Sequence, residues 1–281
     1  FMIIWLASYP KSGNTLVRSL LSGYFFSKDG QFNFELLKTI DQFPHIKIFN
    51  QLGINLSDKK EVEKNYIEAQ KLINKEKKGV QFWKTHNSFC RFENKYAFTD
   101  LDNTAGVIYV VRDPRNVVTS YSNHYQKNLK DSLSDLKSNS EIRQSTGDQL
   151  PVLVGSWSFH YNSWKQLKPL NKYLLVKYED LIENTEKTFV DILMFISKLI
   201  KSNLEIDQKK LKKVIETTSF DKIQEQEKEL GFSESKTSSS GKKINFFNQG
   251  PNNRWEKNLD LDIKNEIENV FGNEMTEIGY L

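Results

Sequence analysis

Short, continuous apolar runs alternate along this chain with stretches whose apolar residues recur at helical intervals. Ile3–Ser8 (IIWLAS) and Gly106–Val111 (GVIYVV) are apolar throughout, the pattern of parallel strands covered on both faces. Residues 80–86 (VQFWKTH) and 173–178 (YLLVKY) read as two more strands. Helical spacing follows the first strand, at Leu16, Val17, Leu20, Leu21, Tyr24 and Phe25. It returns in the charged stretch 58–78, where Val62, Tyr66, Ala69, Leu72 and Ile73 predict one amphipathic helix ended by Gly79. Residues 155–167 predict a helix with Trp157, Tyr161 and Trp164 on one stripe, a core stripe rather than a ligand platform, and residues 185–200 predict another helix. Asp113 followed by Pro114 is a helix start, an N-cap with proline at the first helical position. Residues 26–57 predict short helices, and the chain from Asn253 onward predicts a helix with an acidic, amide-rich face.

Strands alternating with helices predict one α/β domain over residues 1–281, with a mainly parallel central sheet flanked by helices. Two segments break the alternation. Residues 126–150 are polar and low in apolar content, and residues near 225–250 are charged and rich in serine and lysine. Both are expected to be mobile covers over whatever the sheet binds. No internal repeat or linker is visible.

Composition narrows the function more by exclusion than by assertion. The net charge of +4 is too small an excess to point to nucleic acid, but it suits a small anionic ligand. The single cysteine, Cys90, excludes an internal disulfide and any multi-cysteine metal site. No apolar stretch reaches the length of a membrane span. The start lacks the basic run and small-residue cleavage site of a secretory leader, so the expectation is a cytoplasmic protein whose natural start is Met2.

In an open parallel sheet, ligands sit beyond the carboxyl ends of the strands. Lys11, Ser12, Gly13, Asn14 and Thr15 follow the first strand, Lys84, Thr85 and His86 end the second, Arg112 follows the third, and Tyr178, Glu179 and Asp180 follow the fourth. A helix starting near Gly13 leaves its first amides unpartnered, where the dipole favours an anion. Gly13 lets the backbone approach; Ser12, Asn14 and Thr15 add donors; Lys11 adds a full charge. YPKSGNT thus reads as a phosphate cradle. It is not the nucleotide-triphosphate loop G-x-x-x-x-G-K-S/T, because its lysine and serine precede the glycine. Asp113, the one tempting magnesium ligand, reads as the helix cap. His124 and His160 read as structural. Glu179 and Asp180 read as capping a turn or pairing a base.

The segment YPKSGNTL resembles the 5′-phosphosulfate loop of the sulfotransferases, usually written YPKSGTTW. FWKTH, VVRDPRNVVTSYSNHY, GSWSFHYNSW, KYEDL, TTSF and FFNQGPNNRWEKN resemble further segments of that family in the expected order, from about residue 3 to the end. The resemblance implies a P-loop-like three-layer α/β fold. It also implies transfer of a sulfuryl group from 3′-phosphoadenosine 5′-phosphosulfate (PAPS) to a hydroxyl or amine, with adenosine 3′,5′-bisphosphate left and no metal required. By the same resemblance, Lys11, Ser12, Gly13, Asn14 and Thr15 hold the 5′-phosphate, with Lys11 also steadying the leaving oxygen. His86 is the general base, and Lys84 stabilises the sulfuryl oxygens. Arg112 and Ser120 bind the 3′-phosphate. Tyr178, Thr218 and Phe220 line the adenine, and Gly250 belongs to the cofactor-binding C-terminal segment.

The chain departs from the family pattern at three places. Leu16 stands where a tryptophan usually packs on adenine, and Asn14 replaces a threonine. Asn248, Gln249 and Gly250 replace the usual Arg-Lys-Gly, so the family's 3′-phosphate arginine is missing, and Arg254, Lys242 or Lys243 are the alternatives. A phosphotransferase and a non-catalytic nucleotide-binding protein are the competing functions. The expected acceptor is a small molecule or a glycan, with no nucleic acid partner, and the oligomeric state is open. Phe25, Phe43, Phe82 and Phe89 either line an apolar acceptor pocket or belong to the core.

Overall fold

The computed structural model describes residues 2–76, 81–143, 147–237, 241 and 243–281. Its sheet is built from β1 (Ile3–Ser8), β2 (Gln81–Thr85), β3 (Thr104–Val111) and β4 (Tyr173–Lys177). The spatial order is β2-β1-β3-β4 and every pairing is parallel. Around it lie α1 (Asn14–Phe26), α2 (Lys59–Lys64), α3 (Tyr66–Glu76), α4 (Pro114–Tyr125) and α5 (Leu129–Lys137). Then come α6 (Trp157–Lys165), α7 (Tyr178–Glu183), α8 (Thr185–Ile200), α9 (Gln208–Thr217), α10 (Phe220–Leu230) and α11 (Leu261–Ile278).

Strand alternation divides the core into two layers. Ile3, Trp5 and Ala7 of β1, with Val107 and Tyr109 of β3, face Val117 and Tyr121 of α4, Trp157 and Trp164 of α6, and Phe271 of α11. Ile4, Leu6, Ile108 and Val110 face Val17 and Leu21 of α1, Phe189 and Ile192 of α8, and Val214 of α9. Each fully buried large apolar side chain contributes about 1.5–3 kcal/mol. Trp5 is fully buried, and its Nε1–H donates to Thr104 Oγ1 at 3.0 Å, so its one polar atom is satisfied. A smaller cluster of Phe32, Leu37, Ile223 and Phe247, with Phe34, Phe232 and Phe246 against it, anchors the stretch after α10.

The structure differs from the sequence expectation at three elements. The stretch 58–78 is two helices, because Asn65 Nδ2 donates to the Glu61 carbonyl at 2.8 Å and ends α2 there, while the Asn65 carbonyl accepts from Ala69 N–H and starts α3. Gly79 lies outside the described residues. Residues 126–150, expected to be a mobile cover, carry α5, whose Leu133 and Leu136 are buried, and a short ladder between Ile142–Arg143 and Val152–Leu153. The C-terminal helix begins at Leu261, where Asp260 accepts from Ile263 N–H, and only Trp255–Asn258 is helical before it.

Candidate active site

Between β1 and α1 the chain turns through two residues with left-handed backbone, Lys11 (φ 68°) and Gly13 (φ 100°). A β carbon at Gly13 would lie 2.4 Å from Tyr178 Cδ2, so the Tyr178 ring and the positive φ both require glycine. No side chain caps α1, so its first amides keep the partner-free state that suits an anion. Asn14 does not add a donor for that anion. Its Nδ2 donates to the Leu6 carbonyl at 2.8 Å and to Ser8 Oγ at 3.2 Å, which ties the loop back onto β1.

The loop floors a cleft of about 860 Å³ beyond the strand ends. Lys11, Lys84, His86 and Arg112 all line it, together with Gly13, Asn14, Thr15, Ser120, Tyr178, Phe220 and Gly250. Two expected residues do not. Thr218 Oγ1 donates to the Val214 carbonyl at 2.7 Å in the last turn of α9 and is buried away from the cleft. Ser12 is buried beneath the loop, and its Oγ has no partner. Of the substitutes weighed for the missing arginine, Arg254 is exposed and outside the cleft, and Lys242 lies outside the described residues. The Lys243 backbone pairs with Thr237 in a short antiparallel ladder.

Charge in the cleft is concentrated. Lys84 Nζ lies 3.1 Å from Glu234 Oε2, and Arg18 Nη1 lies 2.7 Å from Glu234 Oε1. Burial pushes the Glu234 carboxyl up, but Lys84 and Arg18 outweigh it and hold the group well below the usual carboxylate range. Burial lowers Lys84 to about 8, with Glu234 opposing and Arg18 adding to the fall. Lys11 is lowered to about 7, mainly by burial and partly against Glu234; its ammonium sits 4.0 Å over the Phe246 ring.

His86 is buried just beyond β2, with Nδ1 2.7 Å from the Ser8 carbonyl. A carbonyl only accepts, so Nδ1 carries the proton and Nε2 the lone pair. Burial, reinforced by Lys84 and Arg143, holds the ring's pKa well below its ordinary value, so it is neutral at pH 7. His160 is structural: Nε2 donates to the His86 carbonyl at 3.2 Å, and Nδ1 accepts from Tyr109 OH at 2.8 Å.

Arg112 stacks 4.2 Å over the Tyr178 ring and donates to the carbonyls of Lys11 (3.4 Å) and Gly250 (3.2 Å), with Nε buried and unpartnered. The ring of Phe220 packs on Gly250, where a β carbon would approach it to 2.1 Å. Asp113 caps α4 and is held by Arg115 at 2.6 Å, outside the cleft. Glu179 accepts from Asp113 N–H and from Tyr280 OH, a bracing role.

Sequence reasoning missed Glu234, Arg143 and Phe246, which meet the loop only through tertiary contacts. It also missed Arg18, although Arg18 stands four residues after Asn14 on the same helix face, a spacing that was readable.

Comparison with known proteins follows the same lines. The chain is 24% identical over 203 residues to Sulfotransferase 2A1 of Macaca fascicularis, covering 72% of this chain and 66% of that protein. It is 32% identical over 98 residues to a 3-alpha-hydroxysteroid sulfotransferase of Cavia porcellus, covering 34% of this chain and 33% of that one. The chain thus spans less than two thirds of the length of these relatives. Among solved structures, mouse sulfotransferase SULT7A1 complexed with PAP superimposes with a TM-score of 0.61 at 16% identity, over 98% of this chain and 84% of that one. Retinol dehydratase in complex with androsterone and inactive cofactor PAP gives 0.61 at 17% identity, over 97% and 80%. These likenesses share the three-layer parallel fold. The sulfotransferase domain model itself matches residues 3–279, nearly end to end, and the chain belongs to that family.

Proposed function

We propose that this protein is a sulfotransferase that moves a sulfuryl group from PAPS to a hydroxyl of a small-molecule acceptor. The observation that carries the reading is that Lys11, Lys84, His86 and Arg112, from three strand ends, line one cleft. The residues fit the donor. The loop offers unpartnered amides and a glycine that keeps the approach open, and Arg112 Nε is a buried donor without an acceptor. PAPS, when bound, supplies a sulfuryl group on a good leaving group, adenosine 3′,5′-bisphosphate (PAP).

The chain's residues divide the work. His86, with Nδ1–H fixed on the Ser8 carbonyl, presents Nε2 as the base that takes the acceptor's proton. Lys84 stabilises charge on the sulfuryl oxygens, and Lys11 stabilises the leaving phosphate oxygen. Lys84 is lowered to about 8 and Lys11 to about 7, so an arriving anion, by raising both, secures the charge on Lys84 and completes that on Lys11. Arg112 and Ser120, which line the same cleft, read the 3′-phosphate, and Tyr178, Phe220 and Leu16 supply apolar surface for the base.

Asp113 weighs against the phosphotransferase reading. Its carboxylate is engaged by Arg115, and Asp113 is not among the residues that line the cleft. The test is transfer of labelled sulfate from PAPS to a panel of acceptors. His86→Ala should lower the rate by about 10²–10⁴. Unchanged turnover would remove His86 from the mechanism.

A further inference from the structure

We infer that the acceptor is a polyhydroxylated alcohol of the sugar class rather than a phenol or a steroid. This deepens the sulfuryl-transfer reading and rests on it. The cleft has apolar side chains along other walls, Leu16, Tyr125, Leu129, Phe220 and Phe246 among them, but the four phenylalanines weighed for an apolar acceptor pocket do not form one. Phe43 and Phe82 are buried in the core, Phe25 and Phe89 pack against it, and none of the four lines the cleft.

Polar residues stand along the β2 edge of the cleft, placed by backbone pairing. The segment 41–43 adds to the free edge of β2: Lys84 N–H donates to the Asp41 carbonyl at 2.9 Å, and Phe43 N–H donates to the Lys84 carbonyl at 2.8 Å. The segment 148–150 then pairs onto 44–46, with Ile46 N–H on the Asp148 carbonyl at 2.8 Å and a bridge between His45 and Gln149. In this extended edge Phe43 faces the core, and its neighbour Gln42 lines the cleft. Gln42 bridges to Lys84, and Asp41, His45, Asp148, Gln149 and Arg143 line the same cleft.

Some of this wall is already engaged: the Gln149 amide donates to the Gln42 and Pro44 carbonyls, and His45 Nδ1 accepts from Lys47 N–H. Two carboxylates remain open: Asp41 and Asp148 are exposed, and their carboxylates make no hydrogen bond or ion pair with the described residues. A steroid or naphthol has one hydroxyl and an apolar body, and its binding would strip water from this wall without replacing the lost hydrogen bonds. A sugar presents hydroxyls at several positions, each able to donate to a carboxylate and accept from an amide, imidazole or guanidinium. A site built to hydrogen-bond substrate hydroxyls rejects analogues lacking them by factors of up to roughly 10⁴–10⁵.

The experiment measures initial rates with PAPS and methyl α-glucoside, methyl β-galactoside, N-acetylglucosamine or maltose, against 2-naphthol and a 3β-hydroxysteroid. PAP binding is checked in parallel by thermal shift. At least one sugar should show kcat/KM more than about tenfold above both apolar acceptors. Asp148→Asn and Gln42→Leu should each lower that value about 10–100-fold, mainly through KM, and leave the PAP-induced shift unchanged. Equal or greater turnover of naphthol or steroid overturns the inference, as does failure to turn over any sugar while PAP still binds. Variants with unaltered sugar kinetics also overturn it. Loss of PAP binding by the wild-type protein is a different result and counts against sulfuryl transfer itself.

Discussion

Lys84 Nζ and Glu234 Oε2 are 3.1 Å apart in the wall of the cleft, and the same carboxylate holds Arg18. An acidic side chain in an anion site keeps the buried lysine protonated against the desolvation that lowers it to about 8. The Glu234 side chain is 30% exposed, so water screens part of this effect. Glu234→Gln should push the Lys84 pKa lower still. Transfer needs the ammonium, so the alkaline limb of the kcat/KM profile for PAPS should move to lower pH, and kcat/KM at pH 8 should fall roughly fivefold to tenfold. A limb that stays in place would show that Glu234 does not govern the Lys84 proton.

The lysines also make donor binding a proton-linked event. Free Lys11 titrates at about 7 and free Lys84 at about 8, and a bound phosphate raises both. From about pH 7 upward the complex therefore holds more protons than the free protein, and affinity falls as pH rises. PAP binding should weaken at least about tenfold between pH 7 and 9. Calorimetry at pH 8 in buffers of different ionisation enthalpy should report net proton uptake. Proton release, or a pH-independent affinity, would count against the depressed lysines.

What the chain reveals by itself, and what it hides, follows from how far apart the partners lie. The four strands are legible because strands buried on both faces are continuous apolar runs, and Lys11, Lys84, His86 and Arg112 stand out because they end or follow those runs. Glu234 reaches Lys84 across 150 positions and Arg18 across 216, and no local period encodes such meetings. Asn14 looks like an anion donor from its neighbours, yet the Leu6 carbonyl lies within its reach and claims it. The break at Asn65 is hidden because Val62, Tyr66, Ala69 and Ile73 keep one apolar stripe running through it.

Gly13→Ala tests the loop. The new methyl meets Tyr178 Cδ2 at 2.4 Å in a backbone with φ 100°, and the strain should cost about 1–3 kcal/mol. Thermal melting should show a Tm several degrees lower and a smaller PAP-induced shift. Wild-type values for both would mean that the Tyr178 ring yields without cost.

Arg112→Ala separates reading of the 3′-phosphate from support of the loop. The guanidinium holds the Lys11 and Gly250 carbonyls, so some loss is expected for any ligand of the loop. PAP should nevertheless weaken at least about tenfold more than adenosine 5′-phosphate, since a charge-assisted pair is lost only with the former. Equal weakening in a competition titration would confine Arg112 to holding the loop.

The most direct measurement is a calorimetric titration of the full chain with PAP in EDTA, set against ATP with magnesium. A single cleft lined by Lys11, Lys84, His86 and Arg112 predicts one-to-one binding of PAP, unaffected by EDTA and tighter than ATP with magnesium. Binding of magnesium–ATP with no measurable affinity for PAP would contradict it.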